Sequence, residues 1–271
     1  MPMTARLLLA FAALALAAPG VAMAGSADKE VARLVSFGGA CSGCELSGRK
    51  LSGAQFMGAN FTGAVLVGAD MREARFFGAN FSGADFSKAD LSAAQLVGAN
   101  FSGANFTGAR LRAAEARGIN FTGAVFARAD LRGSHTVAAN FNGAILTGAS
   151  FRGSQLLGAN MTMVDARGAD FREAALRRLV MTGGRFAGAS FRDADLAGAV
   201  MTGATFHGAD LRDASLDGAV INGADLSQAK NLSQGQLNDA CGDSRTRAPR
   251  GLSVRGCDGI RLISRPIAQG R

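Results

Sequence analysis

The chain has 271 residues with 37 Gly but only 4 Pro, and 48% of it is hydrophobic. That apolar share and the regular spacing of the Gly exclude a disordered low-complexity chain, in which Gly is aperiodic and apolar residues are scarce. The formal net charge of +8 is uneven: residues 45–230 carry 19 Lys/Arg against 16 Asp/Glu, and residues 231–271 carry 7 against 3, a balance that gives weak, salt-sensitive attraction to anionic surfaces.

Residues 1–24 read as a secretory signal. Arg6 supplies the positive start, Leu7 to Ala18 the apolar run, and Ala22-Met23-Ala24 the cleavage site. The run is shorter than the ~20 apolar residues of a spanning helix. The expected address is therefore bacterial export, to the periplasm or the medium. Residues 25–45 read as an N-terminal cap, with a short amphipathic helix over 26–37 that carries Val31, Leu34 and Val35.

A five-residue beat fills residues 46–230. From Ala54 to Ala229 every fifth residue is Ala in 30 of 36 positions, and two residues on it is Leu, Phe, Met or Ile in 33 of 36. Gly follows the large residue by two in 24 of 36 units, where a chain turning a corner needs backbone freedom. A short fixed period marks a solenoid, whose units bury their apolar sides only by stacking. Units such as Gly58-Ala59-Asn60-Phe61-Thr62 and Gly208-Ala209-Asp210-Leu211-Arg212 resemble those of the pentapeptide repeat family. The resemblance implies an all-β fold, a right-handed quadrilateral β-helix with four units per coil. A second period, of 20, agrees: Phe61-Thr62-Gly63-Ala64 returns as Phe81-Ser82-Gly83-Ala84 and Phe121-Thr122-Gly123-Ala124. About nine coils at the ~4.8 Å strand spacing predict a rod roughly 45 Å long.

The beat falters in places. Ala116, Thr136 and Ala166 stand where large residues are expected; Ile119, Val164 and Leu179 replace small ones, and Gly184 replaces Ala. Val164 beside Ala166 reads as a volume swap, which close-packed interiors tolerate. A local bend at 161–184 is the alternative. After the beat, residues 231–271 read as a C-terminal cap and basic tail, in which Ser233 and Gln236 form a capping box for a short helix ending near Gly242.

Residues 20 apart stack in outward columns. Asn60, Asn80, Asn100, Asn120, Asn140 and Asn160 form a ladder that satisfies its own amides, then gives way to Val180, Val200 and Val220. A second column holds Arg72, Arg112, Arg132, Arg152, Arg172, Arg192 and Arg212. Like charges ~5 Å apart repel by ~1 kcal/mol in water. Asp and Glu balance the column toward the C-terminus and leave Arg110, Arg112, Arg128, Arg132 and Arg152 under-compensated. That cluster is either a solvated charged face or a docking strip for carboxylate or phosphate, which Arg forks suit. A third column exposes Phe77, Val97, Val137 and Leu157, interrupted by Arg117, and offers a contact surface for a partner or a second copy.

Of the four Cys, Cys44 and Cys241 abut opposite ends of the expected rod, too far apart for the ~7 Å Cα limit of a disulfide. The expected pairs are Cys41–Cys44 and Cys241–Cys257, each tying down a cap. Cys41-Ser42-Gly43-Cys44 read as a redox motif lacks the strand–helix context, and the four Cys with His135 and His207 do not converge on a zinc site. No nucleophile–base pair or phosphate loop is apparent, so the chain reads as no enzyme and needs no cofactor. The expected role is an exported scaffold that binds a protein or an anionic envelope polymer. A partnerless spacer is the alternative. Some members of the family mimic DNA and bind type II topoisomerases, but that needs an acidic surface in the cytoplasm, and no nucleic-acid partner is expected here.

Overall fold

The structure is a computed structural model and describes residues 39–257. The chain turns a corner every five residues. In each unit the large residue is the first of a four-residue turn and the small residue the last, as where the Ala54 N–H donates to the Leu51 carbonyl at 3.0 Å. The third turn residue takes positive φ, +68° at Gly53, as type II turns require. Non-Gly residues also hold this position, among them Glu73, Ala93, Arg128, Met163 and Arg178, all with φ between 55° and 58°.

One extended residue per unit remains, and it bridges in parallel to the residue twenty further on, from Ala40↔Asn60 to Asp210↔Lys230. Four units therefore close one coil. The β-structure is reduced to these single-residue bridges, because the next corner comes before a second residue can pair. Stacked coils satisfy the backbone around them: Leu51 N–H donates to Asp70 O at 2.7 Å, Gly53 N–H to Arg72 O at 2.8 Å, and Asp70 N–H to Arg49 O at 2.9 Å.

Inside the rod the large and small residues form fully buried columns. Phe rings stack down a column, with Phe56–Phe76 centroids 4.8 Å apart and Phe106–Phe126 4.7 Å apart. Neighbouring columns meet edge to face, as at Phe56–Phe61 and Phe121–Phe126, the offsets that ring quadrupoles favour. The core takes the irregular units in its stride. Val164, Ala166 and Leu179 are all fully buried, and bridges Asp165↔Arg185 and Asn160↔Val180 carry the twenty-residue register unbroken through 161–184. The Phe186 ring fills the space of the missing methyl at Gly184, a swap between neighbouring positions of one unit. Three buried polar residues, Ser134, Thr136 and Ser154, lie in the coils before this stretch.

The C-terminal end is closed by helix α1, Gln234–Asp239, with the Ser233–Gln236 capping box in place. Gln236 Nε2 donates to the carbonyls of Leu211 and Ala214, both at 2.8 Å, and Leu237 is buried against the last coil. The helix stops at Asp239, earlier than the sequence suggests, because Cys241 and Gly242 are drawn into bridges with Val220 and Gly256. The expected signal at 1–24, the helix at 26–37 and the last 14 residues lie outside the described residues.

Candidate functional site

The second turn residue of each unit points outward at one of four edges of the rod. On the edge that carries the Arg column, the bridging residue two places earlier is often Asp. At three rungs the pair locks into a fork; at the fourth, Arg212 donates only its backbone N–H to Asp210. Arg72 Nε and Nη2 donate to the two carboxylate oxygens of Asp70 at 2.7 Å each, and Arg172 does the same to Asp170 at 2.8 and 2.7 Å. Arg132 forks onto Asp130 at 2.9 and 2.8 Å, and the Arg132 backbone N–H also donates to Asp130 Oδ1 at 3.2 Å. Bidentate, charge-assisted bonds of this kind fix orientation as well as energy.

The expected cluster is better neutralised than its sequence implies. Arg112 reaches one coil across to Asp130 at 2.5 Å, Arg152 reaches Glu173 at 2.6 Å, and Arg110 lies 3.8 Å from Asp90. Burial alone pushes the Asp130 carboxyl up, but hydrogen bonds from Arg132 and Arg112 outweigh it and hold the group at about 2. Arg128 forms no ion pair among the described residues. It enters from the adjacent edge, with its stem lying over Gly148.

Three of the five expected residues come together. Arg128, Arg132 and Arg152, joined by Arg172, surround a shallow open cavity of about 320 Å³ that also touches Asp130, Ser150 and Asp170. Arg110 and Arg112 lie outside it. Sequence reasoning sets Arg172 aside because Asp170 and Glu173 are close; the twenty-residue column in which Arg172 follows Arg152 is the signal that includes it. Ser150 escapes sequence reasoning as well, and it is the residue that breaks the Asp column between Asp130 and Asp170.

On the next edge Phe77, Val97 and Leu157 are exposed and Val137 is half-buried. Met57, 50% exposed, extends the strip by one coil. Arg117 interrupts it and lies 3.5 Å from Glu115. The Asn column makes a partial ladder, with Asn100 Nδ2 donating to Asn80 Oδ1 at 3.1 Å and Asn120 to Asn100 at 3.0 Å. Its continuation in Val180, Val200 and Val220 is half-buried.

Cys41 is disulfide-bonded to Cys44, with Cα atoms 5.3 Å apart, and Cys241 to Cys257, at 4.8 Å. His135 and His207 lie against Glu115 and Asp225, and among the described residues no group of three or more His, Cys, Asp or Glu is placed to hold a metal. No helix of the described residues is long and apolar enough to cross a membrane.

The family model for pentapeptide repeats matches in eight copies between residues 41 and 241. Among solved structures, HetL from the cyanobacterium Nostoc sp. strain PCC 7120, a pentapeptide repeat protein involved in heterocyst differentiation regulation, is similar over 85% of this chain and 98% of its own, with 26% identity and a TM-score of 0.67. The fluoroquinolone resistance protein QnrB1 matches at 21% identity over 69% of this chain and 90% of its own, with a TM-score of 0.46. A pentapeptide repeat protein of the Arabidopsis thaliana thylakoid lumen matches at 30% identity over 48% of this chain and 79% of its own, with a TM-score of 0.33. No curated protein matches the chain by sequence. With the repeat model spanning the described coils and the twenty-residue register visible in every bridge from Ala40 to Lys230, the chain belongs to the pentapeptide repeat family, whose members fold as right-handed quadrilateral β-helices.

Proposed function

We propose that this protein is an exported, non-enzymatic binding scaffold of about nine coils, and that the edge bearing Arg128, Arg132, Arg152 and Arg172 is its docking surface. The observation that carries the reading is the cavity on that edge, which is lined by four Arg and only two Asp. The excess of positive charge is local and attracts an anionic surface, a protein or an envelope polymer, in a salt-dependent way. Two disulfides suit an oxidising compartment, which agrees with the signal-like residues 1–24. DNA mimicry fits poorly, because it asks for the opposite sign of charge.

The test is photo-crosslinking in the producing cell with a probe at residue 132. A discrete heterologous adduct that weakens in an Arg128→Gln, Arg152→Gln background supports the docking edge. Adducts to a second copy alone turn the reading into an oligomeric spacer, and the absence of any adduct refutes it.

A further inference from the structure

The structure assigns a single carboxylate slot to Ser150, for an Asp or Glu side chain of a partner polypeptide; the assignment rests on the docking edge proposed above. The bridging column on this edge reads Asp130, Ser150, Asp170 over three successive coils. In the rungs of Asp130 and Asp170 the carboxylate receives three donors from the Arg two residues on: the backbone N–H, Nε and Nη2. At the middle rung the carboxylate is missing and the donors remain. Arg152 engages Glu173 through Nη2 alone, and its backbone N–H makes no hydrogen bond among the described residues. Arg128, without an ion pair, leans toward the same rung over Gly148. The open cavity lies at this point.

The chemistry of the slot follows from its neighbours. The sister rungs hold a planar, two-oxygen acceptor against a guanidinium fork, the geometry of a carboxylate. Asp130 and Asp170, one coil to either side, already occupy the forks of Arg132 and Arg172, so only the middle rung is open to an incoming carboxylate, one at a time. An acidic side chain presented by a folded partner meets both conditions. Ser190, the other Ser of the column, lacks a counterpart of Arg128, since Gly168 and Gly188 stand at the corresponding corners.

The test is a titration of the disulfide-intact protein with N-acetylglutamate N-methylamide, which carries one carboxylate, and separately with inorganic phosphate, at 0.15 M ionic strength, followed by the backbone and Nε resonances of Arg152. The expected result is a saturable shift at Arg152 with the carboxylate and at least tenfold weaker binding in Ser150→Asp, in which the Arg152 amide already resonates where saturating ligand takes the wild type. Ser190→Asp adds the same charge two coils away and changes the affinity less than twofold. A shift retained in Ser150→Asp, or no saturable shift at all, overturns the slot. Saturation by phosphate with none by the carboxylate overturns the ligand class. A heterologous crosslink from residue 132 alongside any of these failures leaves the docking edge standing without the slot.

Discussion

Gly184 occupies a column in which Ala is the rule, so Gly184→Ala restores the repeat, and it is expected to destabilise the protein. A Cβ at residue 184 lies 2.5 Å from Phe186 Cε2, 3.0 Å from Cζ and 3.1 Å from the Met181 carbonyl oxygen. Carbon atoms rest at ~3.5–4.0 Å, so the overlap with the ring is about 1 Å. The ring has little room to yield. It stacks on Phe206 with centroids 5.3 Å apart and meets Phe191 edge-on at 5.7 Å. Overpacking of this kind costs about 1–3 kcal/mol. Against it stands the gain of ~0.4–1 kcal/mol from a less flexible unfolded chain, since φ at Gly184 is not in the left-handed region. The net loss is about 1–2 kcal/mol. With m near 2–3 kcal/mol/M the urea midpoint falls by roughly 0.5 M with m unchanged. Phe186→Leu vacates the space, so the double variant recovers most of the loss relative to Phe186→Leu alone, a coupling of about 1 kcal/mol. A midpoint for Gly184→Ala at or above wild type, or a loss that persists in the Phe186→Leu background, refutes the packing argument.

Gly103→Ala tests backbone strain without a clash. Its φ is +66° and an added Cβ meets nothing within 4 Å, so a loss of about 1 kcal/mol in urea unfolding is expected from the left-handed conformation alone. Acid stability reports on Asp130. Its folded carboxyl at about 2 lies below the unfolded value of 3.8, so the pair's contribution, of order 2 kcal/mol, is full above about pH 4 and drains as pH falls through about 2. Asp130→Asn flattens unfolding free energy over that window, and an unchanged pH profile contradicts the pairing. Cys257→Ser opens the 16-residue closure of the C-terminal cap, for which chain entropy gives about 3 kcal/mol. Faster hydrogen exchange confined to 240–257, with the coils unchanged, is the expected result.

The period makes the coil legible in the sequence, because each side chain's place inside or outside recurs every five residues and its neighbours every twenty. The Cys pairing follows from the length of the rod. The site is harder to read. Charge can be counted down the Arg column, but not the reach of Arg112 across a coil to Asp130 or of Arg152 to Glu173, since a long side chain samples several rungs. The cluster therefore looks barer in sequence than it is, which brings Arg110 and Arg112 in and leaves Arg172 out. Ser150 draws no notice because a small polar residue at an outward position is ordinary; its meaning appears only beside the forks of Asp130 and Asp170. The early end of α1 is hidden for a similar reason, as the bridges of Cys241 and Gly242 are made with distant segments.

Four corners per coil give this rod a rule for changes in length. Removing or adding twenty residues shortens or extends it by one rung, and every column downstream stays on its own edge. Removing five turns all that follows by a quarter revolution. The Phe77–Leu157 column beyond the deletion then lines up with the Arg column before it, while the core pattern of large and small residues scarcely changes. Stability is nearly blind to such an edit and the surface is not, so length in this chain is a setting of which face meets which partner.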